Sequence, residues 1–315
     1  MLAPMAGITN PPFRQICREL GASLTVTELI SSHALTFLKK KPSLKRKTVG
    51  IKTLALTERF PGENPFAVQI FGRDPDQMTE AARILEADGA DIIDLNFGCP
   101  ARKVVKNGRG AGAALLLDPP LLQEIANRVV RAVAIPVTAK IRLGWDPDNV
   151  CAPDIAKRLE DVGTKAICVH ARTRDQVHSG EVNFHALAST CRAVDIPVIG
   201  NGGISSPGDA KEMMERTGCR RVAIGQACKG NPWIFSDMQH SDSQPVLGDR
   251  IALFRRHLNL YVEWAGEPRA VREMRKHACW YFKGFSGAAD LRRRLSIACD
   301  INTFMELLDE INTKR

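Results

Sequence analysis

One cysteine of this chain lies in a segment that could hold a reactive thiol in a fixed position. Residues 94–100 read DLNFGCP, an apolar run that leads into a turn at Gly98, Cys99 and Pro100. Glycine and proline restrict the backbone on either side of Cys99, and a thiol that directly follows a strand end would point into the mouth of a barrel of parallel strands. A thiol positioned in this way can donate a proton to a bound substrate. We interpret Cys99 as catalytic and the other cysteines as reduced core residues.

Polar side chains close several other apolar runs of the sequence. In barrel enzymes the reactive groups lie at the carboxyl ends of the strands, and the burial of polar groups without partners is unfavourable. The residues at these positions are Gln69, Asn96, Lys140, Arg142, His170 and Asn201. Polar residues at these positions would be unfavourable in a barrel without a binding site, so we expect them to form one site.

Three glycines follow the last two apolar runs. Gly202 and Gly203 come directly after residues 198–201, and Gly225 ends the run at residues 221–225. Barrels of parallel strands commonly bind phosphate at this place through backbone N–H groups. Each glycine alone is compatible with a tight turn, but their joint placement favours phosphate binding.

The elements that would position these residues alternate regularly along the chain. Short β-branched or apolar runs are followed by stretches of amphipathic helical period, which is typical of βα units and a parallel sheet. Asp118 and Ser206 each precede a proline in the first turn of a predicted helix, as capping residues do. We count eight candidate strands, at residues 2–6, 24–28, 66–71, 92–96, 137–142, 166–170, 198–201 and 221–225. The sequence therefore predicts an α/β fold, a (β/α)8 TIM barrel.

Composition limits the classes of partner and location. The chain has 315 residues, a formal net charge of +9 and a pI near 9.2, which fits either an anionic partner such as a phosphate backbone or a merely soluble basic protein. No stretch reaches the roughly 20 apolar residues of a membrane span, and the start lacks the pattern of a secretory signal. The nine cysteines form no C-x-x-C pair. We expect a cytoplasmic monomer without a membrane segment or a metal.

The pattern of the sequence changes after residue 233. Residues 241–248 are polar and contain a proline, and the remainder is helical in period. We expect a catalytic barrel at residues 1–240 and an all-helical domain at residues 247–315. In that domain Arg269, Arg272, Arg275 and Lys276 recur at helical spacing and would share one basic face. A second basic segment, residues 39–59, is interpreted as a solvated loop or an RNA-facing insertion.

Five motifs in order resemble the tRNA-dihydrouridine synthase family. They are APMAGIT at residues 3–9, DLNFGCP at 94–100, KIRLG at 140–144, HARTR at 170–174 and IPVIGNGGI at 196–204. GNPWIF at residues 230–235 and RKHACWYF at 275–282 are most similar to the bacterial B-type branch. The resemblance covers nearly the whole chain. It implies an FMN-bearing TIM barrel with a helical tRNA-binding domain, which reduces the C5–C6 bond of uridine to 5,6-dihydrouridine with NADPH as reductant.

The resemblance also implies roles for individual residues. Cys99 would be the proton donor to C5, and hydride would pass from N5 of the reduced flavin to C6. FMN would be held by Pro4, Met5, Ala6, Gln69, Lys140, His170, Asn201, Gly202, Gly203, Gly225 and Gln226. Contacts to the uracil or the rest of the RNA would come from Asn96, Arg102, Arg142, Arg172, Arg174, Arg272 and Arg275.

Two departures from the family pattern bear on the phosphate contact. Gln226 stands where the family often has arginine, and Gly203 stands where it often has an acidic residue. Two alternatives stay open: an FMN barrel that acts on a free pyrimidine, and a non-catalytic RNA-binding barrel. The basic helical tail argues against the first, and the presence of Cys99, Lys140 and His170 argues against the second.

Overall fold

A parallel sheet forms the centre of the first part of the chain. The computed structural model of the protein describes residues 1–40, 53–238 and 245–313. Seven parallel strands pair in chain order. They are β1 (Ile30–Ser31), β2 (Ala67–Phe71), β3 (Ile92–Phe97), β4 (Val137–Arg142), β5 (Ala166–His170), β6 (Val198–Asn201) and β7 (Arg221–Ala223). Val68, Ile93 and Val169 on these strands are fully buried, because helices cover the outer face of a parallel barrel sheet and side chains fill its interior.

Isolated bridges connect the two edges of this sheet. Leu2 pairs with both Thr25 and Ile224, and Val26 pairs with Ala67. The seven regular strands alone do not close into a ring. The predicted strands at residues 2–6 and 24–28 contribute isolated bridges, and these bridges link the end of β7 to β2. Together with β2 to β7, these two segments account for the eight predicted strands. The predicted (β/α)8 TIM barrel is confirmed.

The described chain divides into two compact units. The barrel unit contains Met1–Asn10 and Ser23–Gly225, and the helical unit contains Pro11–Ala22 and the described residues from Gln226 onward. The sequence places the boundary between residues 240 and 247, whereas the structure places it directly after Gly225 and adds the segment Pro11–Ala22 to the helical unit. Amphipathic period shows that a helix buries one face but not against which partner. That is why the sequence pattern alone could not assign this segment.

The helices of the barrel unit begin as their sequence predicts. The Asp118 carboxylate accepts a hydrogen bond from the Leu121 N–H at 3.3 Å, and Ser206 and Asp209 form a reciprocal capping box. In both helices a proline occupies the first turn. Helix α1 (Pro11–Glu19) belongs to the helical unit. The helices of the barrel unit are α2 (Ser32–Lys40), α3 (Pro75–Ala87), α4 (Arg102–Val105), α5 (Pro119–Ala132), α6 (Ala152–Asp161), α7 (Phe184–Ala193) and α8 (Pro207–Thr217).

The helical unit has an apolar core of its own, which includes Phe254, Tyr281, Phe282 and Phe304. Besides α1, its helices are α9 (Ile234–Asp237), α10 (Leu247–Ala265), α11 (Glu267–Tyr281), α12 (Ala288–Ile297) and α13 (Ile301–Thr313). The ring of Phe13 on α1 lies 5.5 Å from that of His257 on α10 and 5.7 Å from that of His277 on α11. An all-helical region is thus present at the carboxyl-terminal side of the chain, as predicted.

Some sequence features fall outside the described residues. Residues 41–52, which make up most of the predicted basic insertion, are among them, as are residues 239–244 and 314–315. Across the described ranges, no helix is both long and apolar enough to cross a membrane. In the same ranges, no group of three or more His, Cys, Asp or Glu side chains is arranged to hold a metal ion.

Candidate active site

Parallel pairing brings the predicted polar residues together at the carboxyl ends of the strands. Asn96 on β3 pairs with Lys140 on β4, and Arg142 pairs with His170 on β5. His170 in turn pairs with Asn201 on β6. Because partner positions on neighbouring strands point to the same side of a sheet, these five side chains lie in one region. The barrel therefore brings together five of the residues that the sequence predicted to form one site.

A buried hydrogen-bond network joins β2, β3 and β4 within this region. Gln69 donates through Nε2 to Asp94 Oδ2 at 2.6 Å and accepts through Oε1 from Asn96 Nδ2 at 2.7 Å. Thr138 donates to the other Asp94 oxygen at 2.6 Å. Burial raises the pKa of Asp94, while the hydrogen bonds from Thr138 and Gln69 and the charge of Lys140 oppose this. Sequence reasoning did not single out Asp94, although its spacing of two from Asn96 on one strand placed both on the same face.

Asn96 also holds the Cys99 turn (residues 96–100). Its Oδ1 accepts hydrogen bonds from the N–H groups of Gly98 at 3.2 Å and Cys99 at 2.9 Å. A Cβ atom on Gly98 would lie 3.1 Å from the carbonyl carbon of Ile141, so the close approach of β4 favours glycine here. Cys99 is half-buried with a free thiol. The predicted thiol is thus held in a defined backbone turn.

Arg142 fixes the same turn from the opposite side. Only 2% of this residue is exposed. Its Nε donates to the Gly98 carbonyl at 2.9 Å, Nη1 to that of Thr173 at 2.8 Å, and Nη2 to that of Val177 at 2.6 Å. Burial lowers the pKa of Arg142 to about 10, which leaves it charged at neutral pH. Val177 has φ of 50°, an unfavourable conformation for a β-branched residue. Arg142 was predicted to contact the substrate. In the structure all three nitrogens of its guanidinium donate to backbone carbonyls of the protein instead.

Lys140 and His170 have different hydrogen-bond partners. Lys140 Nζ donates to Asn201 Oδ1 at 2.9 Å, and Asn201 Nδ2 donates to the Ala223 carbonyl at 2.7 Å. Burial, reinforced by the charges of Lys140, Arg142 and Arg172, lowers the pKa of His170 far below its usual value. His170 is therefore neutral. Its Nε2 lies 3.3 Å from Arg172 Nη1, and because a guanidinium only donates, Nε2 is the acceptor.

The predicted phosphate-binding glycines include a turn that only glycine can form. Gly202 has φ of 106° and Gly203 has φ of 73°, both in the region that disfavours side chains. A Cβ atom on Gly202 would lie 2.6 Å from Cδ2 of His170. A Cβ atom on Gly225 would meet only ordinary contacts, the nearest being the Met5 sulfur at 3.7 Å. The glycine turn (Gly202 and Gly203) thus exposes bare backbone beside His170.

The remaining residues predicted to hold a cofactor lie in two places. Pro4 is half-buried, Met5 is buried and Ala6 is exposed in the loop that follows Leu2. The Met5 N–H donates to Thr9 Oγ1 at 3.1 Å. Gln226 is exposed and is the first residue of the helical unit after Gly225. The sequence motif alone did not show that a unit boundary falls between Gly225 and Gln226.

The predicted RNA-binding arginines of the barrel unit have different environments. Arg102 is exposed on the short helix α4. The guanidinium of Arg174 lies 4.2 Å from the ring centre of Trp145, a favourable cation–π arrangement. Arg172 lies beside His170 and donates through Nε to the Gly180 carbonyl at 3.0 Å.

The basic face predicted for the helical tail is partly neutralised. On α11 the side chain of Arg272 is 65% exposed and lies 3.9 Å from Glu273, whereas Lys276 forms a 2.6 Å ion pair with the same carboxylate. Arg275 donates through Nε to the Ala298 carbonyl at 2.8 Å. Arg272 is therefore more accessible to a polyanion than Arg275.

The fold and the polar ring define a TIM-barrel enzyme with a half-buried thiol, a lysine and a neutral histidine at the carboxyl ends of its strands. The family described as "Dihydrouridine synthase (Dus)" matches residues 1–314. The chain belongs to the dihydrouridine synthase family, whose members are flavin-dependent oxidoreductases, and it is therefore an enzyme. The family resemblance read from the sequence motifs is confirmed.

Curated relatives agree with this assignment. The chain is 40% identical over 302 residues to "tRNA-dihydrouridine synthase B" of Pseudomonas aeruginosa, which covers 94% of this chain and 87% of the relative. A protein of the same name from Xanthomonas campestris is 42% identical over 299 residues, which cover 93% of this chain and 86% of the relative. The Yersinia pestis protein of this name is 38% identical over 316 residues, with 98% and 94% covered. The similarity thus extends over both units.

Proposed function

We propose that this enzyme reduces the C5–C6 double bond of uridine in tRNA to 5,6-dihydrouridine, with FMN as cofactor and NADPH as reductant. The observation that carries the proposal is the Cys99 turn, which Asn96 and Arg142 hold at the same strand ends as Lys140 and His170. The names of the curated relatives support tRNA as the substrate.

The barrel residues fit an anionic flavin cofactor. The glycine turn is a backbone cradle that a Cβ atom would fill, and such a turn suits a phosphate group. Pro4, Met5, Gln69, Lys140, His170 and Asn201 would surround the rest of the cofactor, with Gly225 beside Met5 and Gln226 following it. When bound, FMN supplies the hydride that adds to C6 of the base, and NADPH supplies the reducing equivalents.

Cys99 is the proton donor in this proposal. Hydride addition at C6 leaves negative charge shared between C5 and the C4 carbonyl of the base, so C5 must receive a proton. The thiol of Cys99 holds that proton, and the hydrogen bonds from Gly98 and Cys99 to Asn96 fix its backbone. Because both ends of the Asn96 side chain are engaged in the protein, we assign Asn96 to positioning of the turn, and its contact to the uracil stays a prediction.

Lys140 supplies positive charge to the bound flavin. In the proposed enzyme Lys140→Ala slows flavin reduction by NADPH at least about tenfold, as expected when a group that stabilises negative charge is removed, and weakens tRNA affinity much less. Stopped-flow bleaching of the bound flavin measures the first quantity and a tRNA titration measures the second. Lys165→Ala, which removes an exposed lysine of the barrel unit, is the matched control. Wild-type reduction rates in Lys140→Ala would rule out this role.

In this proposal RNA docks on the helical unit, where Arg272 is more accessible than Arg275. Arg272→Glu is expected to weaken tRNA binding and to flatten the slope of log affinity against log salt by about one unit, because each phosphate contact contributes close to one unit. Arg216→Glu changes the net charge equally on α8 of the barrel unit and serves as the control. An equal effect of the two substitutions would mean that overall charge, rather than a contact at Arg272, drives binding.

A direct test of the proposed function combines colour with product analysis. The purified protein is expected to show the blue-light absorption of bound flavin and, with NADPH and unmodified tRNA, to add two hydrogen atoms to a uridine, as seen by mass spectrometry of the digested RNA. A colourless protein that still binds tRNA would favour a non-catalytic RNA-binding barrel. Reduction of free uracil with no reaction on tRNA would instead indicate a small-molecule enzyme.

A further inference from the structure

The segments that follow the last two strands contain no cation of their own. Residues 199–210 and 222–228 include neither lysine nor arginine. The first cations after them are Lys211, which is exposed on α8, and Lys229, whose Nζ lies 4.7 Å from the ring centre of Trp280 in the helical unit. These are the segments from which a TIM barrel usually builds a phosphate site, and a phosphate monoester carries nearly two negative charges at neutral pH. A basic side chain for that site would therefore have to come from a different loop.

The guanidinium of Arg172, from the loop after β5, lies along the glycine turn. Its Nη1 is 3.5 Å from the position that a Cβ atom would take on Gly202, and its Nη2 is 4.0 Å from the corresponding position on Gly203. The Nε–H is held by the Gly180 carbonyl at 3.0 Å, and Nη1 lies 3.3 Å from the neutral His170. The terminal nitrogens are thus oriented toward the turn.

The charge of Arg172 is not neutralised by the protein. Within the described residues no carboxylate forms an ion pair with it, and burial alone lowers its pKa. The nearest helix start offers no competing anion site, because the Asp209 carboxylate already accepts hydrogen bonds from the Ser205 and Ser206 N–H groups at the start of α8. The bare glycine backbone and the arginine therefore form the one anion-binding arrangement at this end of β6 among the residues that the structure describes.

We propose that Arg172 binds the phosphate group of FMN at the glycine turn, in place of the RNA contact expected from the sequence. The inference rests on the proposed function, since it takes FMN as the cofactor. The planar fork of arginine suits a phosphate better than the point charge of a lysine, and Gln226, which the sequence places after Gly225, contributes no charge.

The test compares two flavins that differ only in the phosphate. Apoprotein of the full chain is titrated with FMN and with riboflavin, and flavin fluorescence reports binding. Arg172→Ala is expected to weaken FMN binding by about 10- to 100-fold, the effect of one lost hydrogen bond to a charged group, and to leave riboflavin affinity nearly unchanged. Arg172→Lys should retain part of the discrimination. Arg174→Ala, on the same loop but stacked on Trp145, is the matched control and should keep the wild-type ratio.

The outcomes separate this inference from the proposed function. Equal losses for FMN and riboflavin in Arg172→Ala and Arg172→Lys, with native circular dichroism, would overturn the phosphate role. An unchanged ratio of FMN to riboflavin affinity together with weaker, less salt-dependent tRNA binding would assign Arg172 to RNA and also overturn it. Wild-type protein that binds neither flavin would contradict the proposed function itself. If Arg172→Ala does not fold, Arg172→Gln gives the same comparison with a smaller loss of packing.

Discussion

Replacement of Cys99 by alanine is expected to slow uridine reduction by roughly 10²- to 10⁴-fold, the contribution typical of a lost general acid. Flavin binding, flavin reduction by NADPH and tRNA affinity should stay close to wild type, because the turn is held by the Gly98 and Cys99 N–H groups and not by the thiol. Single-turnover reduction of tRNA by the prereduced enzyme measures the affected step directly.

Cys191→Ala provides the control for the loss of a thiol. Cys191 is also half-buried in the barrel unit, on the outer helix α7, and burial raises its pKa to about 11. This variant should reduce tRNA at the wild-type rate. Unchanged single-turnover rates in Cys99→Ala at saturating tRNA would remove Cys99 from the mechanism, and the proton would then have to come from another group or from water.

Arg142→Met is expected to lower the free energy of unfolding by about 2–4 kcal/mol, because it leaves three carbonyls without a charged donor. Activity should fall by about 10²-fold, the scale of a misplacement of roughly 1 Å at a reacting group. Arg142 is thus a positioning residue for the Cys99 turn. Denaturant unfolding measures the first effect, and the alkylation rate of Cys99 by iodoacetamide reports whether the turn has moved.

Arg158→Met is the matched control for Arg142→Met. Arg158 lies on α6 and forms a 2.8 Å ion pair with Asp154 at the surface, where such pairs contribute little to stability. It should change neither the alkylation rate nor the activity. If Arg142→Met lost stability while Cys99 alkylation and turnover per folded molecule stayed normal, Arg142 would support the barrel without positioning the thiol.

The strands and their polar ends were readable from the sequence because each rests on short-range patterns. The apolar runs around Ile93, Val137 and Val198 are buried in parallel strands, where continuous apolar character is the expected signature. In-register pairing then placed Asn96, Lys140 and His170 in one region, as barrel geometry requires. The caps at Asp118 and Ser206 depend on neighbouring residues only, so they too were predicted.

Side-chain partners were not readable in the same way. Arg142 was expected to contact substrate, but its charge is directed to carbonyls of the loop at residues 173–177, and no local pattern reports such a contact. Gln69 was expected beside the flavin, and it bonds to Asp94 and Asn96 across two strands. Arg172 and Arg174 look equivalent in HARTR, yet one lies at the glycine turn and the other on Trp145.

The sequence by itself determined the barrel, the helical tail and the family, because periodicity and motif spacing are local properties of the chain. The roles of the site residues remain predictions. Tertiary structure decided which charged side chains face the site and which are hydrogen-bonded within the protein, as Arg142 is. It also decided that helix α1 packs against α10 of the helical unit and does not belong to the barrel unit. These outcomes depend on contacts between residues far apart in sequence, where burial and hydrogen-bond geometry select among partners that local patterns leave equivalent.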